Sequence, residues 1–220
     1  MGINEHTWKV ISAIPYLLKG VGMTLKITFL ALIFGAFFGL LLALARVYGG
    51  SISRRFAIVY SRIIRSLPLL VILFMLYYLA SEILDLSPFL AVVLALAVHT
   101  SAYQSEIFRG SIQSISKGQM EAALALGMSK FQCVLYIILP QALRRALPYW
   151  SNEAAIVLKD SALAYVLGIA ELMRRGEYVV ARSSQSALLT YLIIGIIYFI
   201  LTSVLTRSLL YAEKKLRIPC

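Results

Sequence analysis

Residues 27–45 form an unbroken run of 19 uncharged, mostly aliphatic and aromatic residues between Lys26 and Arg46. A helix rising about 1.5 Å per residue needs about 20 residues to cross a hydrocarbon core of about 30 Å. In that medium the backbone must satisfy its own hydrogen bonds, so such a run is constrained to be a membrane helix. Further uncharged runs lie at 66–81, 86–105 and 183–206. The first of these extends upstream through an amphipathic stretch near Phe56–Arg65. A weaker fifth segment, about 139–158, contains Glu153. The expectation is therefore an all-α integral membrane protein with about five spans, at roughly 22–46, 56–81, 86–109, 139–159 and 185–211. These form one domain over residues 1–220, with a polar loop at 116–138.

The chain is 60% hydrophobic and 14% charged, with a formal charge of +11. The basic residues are clustered between apolar runs, which fits the cytoplasmic excess of Lys and Arg in membrane proteins and argues against nucleic-acid binding. Arg46, Arg54, Arg55, Arg62 and Arg65 follow the first span. Arg109, Lys117, Lys130, Arg144 and Arg145 follow the third, and Arg207, Lys214, Lys215 and Arg217 lie in the tail. Fourteen of the 21 basic residues thus fall on one side. This predicts an outside N-terminus, an inside C-terminus and an outside loop at 82–87, which carries Glu82 and Asp85. The segment 159–182, with Lys159, Arg174, Arg175 and Arg182, runs against the rule.

The first twenty residues lack the apolar core and small-residue cleavage site of a secretory signal. Cys133 and Cys220 do not make a disulfide framework. There is no internal repeat, no Gly-x4-Gly-Lys-Ser/Thr phosphate loop and no metal-ligand spacing. No nucleophile–base constellation points to an enzyme.

The loop at 116–138 reads as two short helices. Ser116 with Gln119 and Ser129 with Gln132 fit capping boxes. Gly127 suits a left-handed C-cap, and Pro140 suits the start of the following helix. An alanine-rich helix–turn–helix can dock closely into a partner's groove, or it can be an ordinary interfacial helix. Ionisable groups inside a span are costly and default to functional candidates. Glu153 fits a contact for the amino group or side-chain cation of a substrate, with Asn152 and Ser151 assisting, or a partner for another helix. His99, beside Thr100 and Ser101 and one turn from Tyr103 and Gln104, is open to the same two readings. Lys159 and Asp160 follow at the helix end, where they could gate a pathway. Gly35 and Gly39 read as packing residues.

The pattern Glu121-Ala122-Ala123, three residues, Gly127, nine residues, Ile137-x-Leu139-Pro140 resembles the EAA loop of ATP-binding-cassette importer permeases, with every fixed position filled. Similar stretches lie at 22–28 (GMTLKIT), 65–69 (RSLPL), 101–110 (SAYQSEIFRG), 151–153 (SNE) and 159–163 (KDSAL). Together they resemble the polar-amino-acid branch of that family over nearly the whole chain.

The resemblance implies a type I importer permease in the cytoplasmic membrane, paired with a second, identical or related permease. Two ATPase subunits would bind ATP and Mg on their own chains, leaving this one without a cofactor. An external or periplasmic binding protein would deliver the amino acid, cationic or neutral polar. Glu121, Ala122, Ala123, Gly127, Leu139 and Pro140 would then transmit ATPase motion. An ion-gradient carrier, with Glu153 and His99 moving protons, is the alternative.

Overall fold

The computed structural model describes residues 5–84, 86–182 and 187–216. Asp85 and Arg217, used in the orientation argument, and Cys220, weighed for a disulfide, lie outside the described residues, as do positions 185 and 186 of the expected last span. Two short helices, α1 (Glu5–Ser12) and α2 (Ile14–Leu18), lead into α3 (Val21–Tyr48). Next come α4 (Ser51–Ser66), α5 (Leu69–Leu84) and α6 (Pro88–Gln113). The polar loop carries α7 (Lys117–Ala125). It is followed by a run that begins as α8 (Lys130–Gln132), widens into a π-helical segment at Cys133–Ile138 and continues as α9 (Leu139–Asp160). A 3-10 segment (Ser161–Leu167), α10 (Leu172–Arg182) and α11 (Ala187–Leu216) complete the chain.

Among the described residues, α3, α6 and α11 are each long and apolar enough to cross a membrane alone. The second expected span is not one helix. Pro68 disfavours helical geometry at the residue before it, and Leu67 is extended at φ −93°, ψ 138°. The chain therefore breaks between α4 and α5, which meet at 106°. The fourth expected span, α9, has 22 residues but is less apolar than the other three, since it carries Arg144, Arg145, Glu153, Lys159 and Asp160. Its inward face, Ala142, Ala146, Ser151, Glu153, Ala154, Val157 and Leu158, repeats at helical spacing and is buried.

The core forms where α3 crosses α6. Gly35 and Gly39, one turn apart, let the helices touch at van der Waals distance. A Cβ at Gly35 would stand 2.3 Å from Thr100 Cγ2, and one at Gly39 would stand 2.9 Å from Gln104 Cβ. Ile27, Ala31 and Leu32 of α3, Ala95 and Leu96 of α6, and Ala154 and Val157 of α9 enclose one apolar cluster. A second lies beneath the polar loop, where Phe108, Ile112 and Ile115 meet Ile138, Ala142 and Ala146. The basic segment 159–182 folds back onto the bundle. Glu171, fully buried, accepts hydrogen bonds from the backbone N–H of Met173 (2.8 Å) and Arg174 (2.7 Å) at the start of α10, and from Tyr198 Oη (3.0 Å) of α11. Arg174 pairs with Glu177 at 2.7 Å, and the Arg175 guanidinium stacks over Tyr16.

Candidate coupling surface and transport pathway

Helix α7 ends in a Schellman motif, with Gly127 N–H bonded to the Leu124 carbonyl (3.0 Å) and Met128 N–H to the Ala123 carbonyl (3.2 Å). Gly127 adopts φ +82°. Its would-be Cβ meets no atom within 4 Å, so glycine is needed there for backbone conformation and not for space. The expected capping box at Ser129 is present, with Gln132 N–H on Ser129 Oγ and Ser129 N–H on Gln132 Oε1. The one at Ser116 is not. Ser116 occupies the N-cap position, but its hydroxyl makes no capping bond, and Gln119 instead meets Gln141 of α9 at 3.4 Å.

Nor is the loop's second helix separate from the helix that follows. Leu139 N–H bonds back to the Val134 carbonyl, an i→i−5 link of the π-helical segment, immediately before Pro140, which has no N–H to give. The wider turn accommodates the proline, and the run continues from the loop into α9.

The expected transmission residues divide by exposure. Glu121 and Ala122 face outward, whereas Ala123 is buried and roots the helix. Leu126 and Phe131, 84% and 74% exposed, extend the same surface with apolar side chains. Leu139 is half-buried and Pro140 exposed, both below this surface on the continuous helix. Arg145 of α9 donates to the Ser114 carbonyl (2.7 Å) at the C-terminal end of α6, where a cation is favoured. Together with the Gln119–Gln141 contact, this ties the end of α6 and the loop that follows it to α9.

Eight residues above Arg145, Glu153 lies buried against α6. Thr100 Oγ1 donates to Glu153 Oε1 at 2.6 Å, and Gln104 Nε2 donates to Thr100 Oγ1 at 3.1 Å. Trp150 Nε1 donates to Gln104 Oε1 at 2.6 Å. Gly35 and Gly39 press on this network from α3.

The other expected pathway residues are not gathered with it. Ser101 points to α4, where it shares a 2.7 Å hydrogen bond with Tyr60 Oη. Ser151 donates to the Pro148 carbonyl of its own helix (2.7 Å), and Asn152 is exposed. His99 is half-buried with its ring 5.0 Å from that of Tyr103. Asp160 lines a small crevice with Leu69, Leu73 and Leu96, while Lys159 beside it is exposed.

Sequence reasoning overlooked a half-buried charge cluster on α6. Glu106 of α6 gathers three guanidinium groups. Arg46 of α3 contacts its Oε1, Arg65 of α4 approaches the same oxygen at 3.5 Å, and Arg109 reaches Oε2 through both Nε and Nη2 at 2.9 Å. The Arg65 guanidinium also lies over the Tyr103 ring. The available signal was the absence of any acid from 46 to 81, which leaves Arg46 and Arg65 to find a carboxylate on another helix.

Comparisons with known proteins agree with this architecture. Residues 35–218 match the family described as binding-protein-dependent transport system inner membrane component. The chain is 40% identical over 218 residues to the glutamine transport system permease protein GlnP of Escherichia coli (strain K12), covering 97% of this chain and 99% of that protein. It is 35% identical over 223 residues to the glutamate/aspartate import permease protein GltK of Escherichia coli O157:H7, covering 97% and 98%. The crystal structure of an amino acid ABC transporter with histidines superposes with a TM-score of 0.84 at 35% identity, over 98% of this chain and all of that one. The fold, the motif-bearing loop and these matches place the chain in the family of binding-protein-dependent transport system inner membrane components, with the all-α architecture of ABC importer permeases.

Proposed function

We propose that this chain forms the translocation pathway of an importer for polar amino acids, as one of two permease subunits driven by two separate ATPases. A binding protein would deliver the amino acid from outside, where the N-terminus also lies. The carrying observation is the exposed surface formed by α7, its C-terminal turn and α8. Glu121, Ala122, Leu126 and Phe131 present small and apolar contacts around one acid, held by a left-handed Gly127 and fixed to α9. That surface suits a groove on an ATPase that carries the ATP and Mg. Because α9 continues from the loop as one helix, displacement of α7 can pass through Leu139, Pro140 and the Arg145–Ser114 contact toward Glu153. Such transmission needs two packing states that the partner distinguishes, and a rigid helix shared by both ends meets that need.

Glu153, held by Thr100, is the best-supported cation contact on the pathway. Ser151, Asn152, His99, Ser101 and Asp160 are proposed to line or gate it at other depths. An acid in the pathway favours neutral polar or cationic amino acids. The relatives named for glutamine and for glutamate/aspartate are compatible with a polar amino acid as the cargo class.

The experiment is reconstitution. Uptake of a polar amino acid that needs the co-purified ATPase and ATP supports the reading. Uptake driven by an ion gradient with no ATPase present would overturn it in favour of a secondary carrier. Within the assembled complex, Gly127→Val forces a β-branched residue into the left-handed region at about 1–2 kcal/mol. ATP-driven uptake should fall at least tenfold while membrane insertion persists, as quantitative blotting of the membrane fraction can check.

A further inference from the structure

Helix α4 has three faces, and only two of them are explained by the fold. Ala57 and Ser61 are buried against α6, where Ser61 Oγ donates to the Ala102 carbonyl at 3.2 Å. On the side away from that contact, Ile52, Phe56, Val59 and Ile63 are 86%, 65%, 53% and 54% exposed. Their spacing of four, three and four residues makes a single apolar stripe. Arg55 and Arg62, two turns apart and exposed, flank the stripe along one edge. Arg65 and Arg46 are accounted for by Glu106. Among the described residues no carboxylate lies within ion-pair distance of Arg55 or Arg62, and none occurs in the sequence from 46 to 81.

Position decides what can cover this face. Only Gly49 and Gly50 separate α4 from the apolar α3, and only Leu67 and Pro68 separate it from the apolar α5. The 106° angle between α4 and α5 turns α4 toward the membrane plane if α5 runs along the normal. An apolar stripe edged by unpaired guanidinium groups, held beside two membrane helices, has the form of an interfacial helix. Long arginine side chains can keep their stems in the apolar layer while the guanidinium groups reach phosphate.

We propose that α4 lies in the bilayer interface and concentrates anionic lipid headgroups at Arg55 and Arg62. The two charges also place basic groups where an anionic leaflet attracts them.

The test uses the complete transporter in vesicles of phosphatidylcholine doped with spin-labelled phosphatidylglycerol or, in a parallel sample, spin-labelled phosphatidylcholine. The motionally restricted fraction should be several-fold greater for the anionic label. In R55Q/R62Q it should fall toward the neutral value, and in R55K/R62K it should largely persist. Raising the salt to 1 M should remove the preference in the wild type, because screening shortens to about 3 Å. That arm stands even if the glutamine variant does not fold. Equal restriction of the two labels in the wild type, or a preference untouched by salt, would overturn the proposal. So would efficient disulfide or bifunctional cross-linking from Phe56→Cys to a neighbouring subunit in native membranes, since a protein would then cover the stripe.

Discussion

Two acids on facing helices of this bundle receive opposite treatment. Glu106 of α6 is surrounded by Arg46, Arg65 and Arg109, which arrive from three different helices, and Ser61 adds a hydroxyl at 3.4 Å. Glu153 of α9 is buried deeper, with 5% exposure, yet its hydrogen-bond donor from another helix is a single hydroxyl, Thr100. The first acid is over-supplied with cations, and among the described residues the second has none within ion-pair distance. A carboxylate whose charge is already matched by three guanidinium groups has little attraction left for a cargo. One held in place by a neutral donor keeps its field for whatever cation enters. The contrast assigns Glu106 to holding α3, α4 and α6 together, and leaves Glu153 as the acid with capacity for a ligand.

The largest effect expected in this comparison comes from neither acid but from the glycine behind Glu153. Gly35→Val would set a Cβ 2.3 Å from Thr100 Cγ2 and 2.8 Å from Gln104 Nε2. Overpacking of this kind costs about 1–3 kcal/mol, and here it would also separate the donors that position Glu153. The variant should lose most of its folded yield in detergent, read as the monodisperse peak in size-exclusion chromatography. A variant as stable as the wild type would mean that α3 and α6 can part without harm, and would weaken the case for a preorganised Glu153.

Glu106→Gln ranks next. It leaves three guanidinium groups facing one another across α3, α4 and α6. Removing one partner of a buried ion pair costs about 3–5 kcal/mol, but exposed pairs contribute about 1 kcal/mol or less. Glu106 is one-quarter exposed, so about 2 kcal/mol is expected, seen as a lower midpoint in thermal unfolding. The loss should be smaller in an Arg65→Gln background, because Arg65 is the most distant and most exposed of the three cations. Equal losses in both backgrounds would show that Arg65 takes no part in the pin.

How much of this was visible in the sequence depends on the range of the interaction. The positive φ of Gly127 and the capping box at Ser129 are set within a few residues, and a glycine or a Ser-x-x-Gln spacing announces them. The break at Leu67 follows equally from Pro68, although hydropathy alone fits a single span. Ser116 shows where local reasoning stops, because Gln119 had a partner 22 positions away in Gln141. The sequence sets Thr100 and Ser101 side by side next to His99 and does not distinguish them. Only the rotation of α6 against α9 decides that Thr100 faces the acid and Ser101 faces Tyr60. The Glu106 cluster needed three helices to converge, and charge balance along the chain was its only trace.

Glu153→Gln should be nearly neutral for stability, which is the smallest structural effect of the series and the sharpest functional test. Glutamine keeps the shape and an oxygen that can accept from Thr100, so the network reaching Trp150 through Gln104 can survive. Losing a buried charge with no cation beside it removes a desolvation cost instead of a favourable pair. Thermal midpoints should therefore match or slightly exceed the wild type. Transport should divide by cargo. Without the carboxylate, uptake of a cationic amino acid should drop about tenfold, the loss of one charge-assisted contact worth about 1.5–3 kcal/mol. A neutral polar amino acid should lose less. Competition between lysine and glutamine in reconstituted vesicles reads this ratio directly. A mutant that takes up both as before would return Glu153 to the same class as Glu106, an acid that only holds helices together.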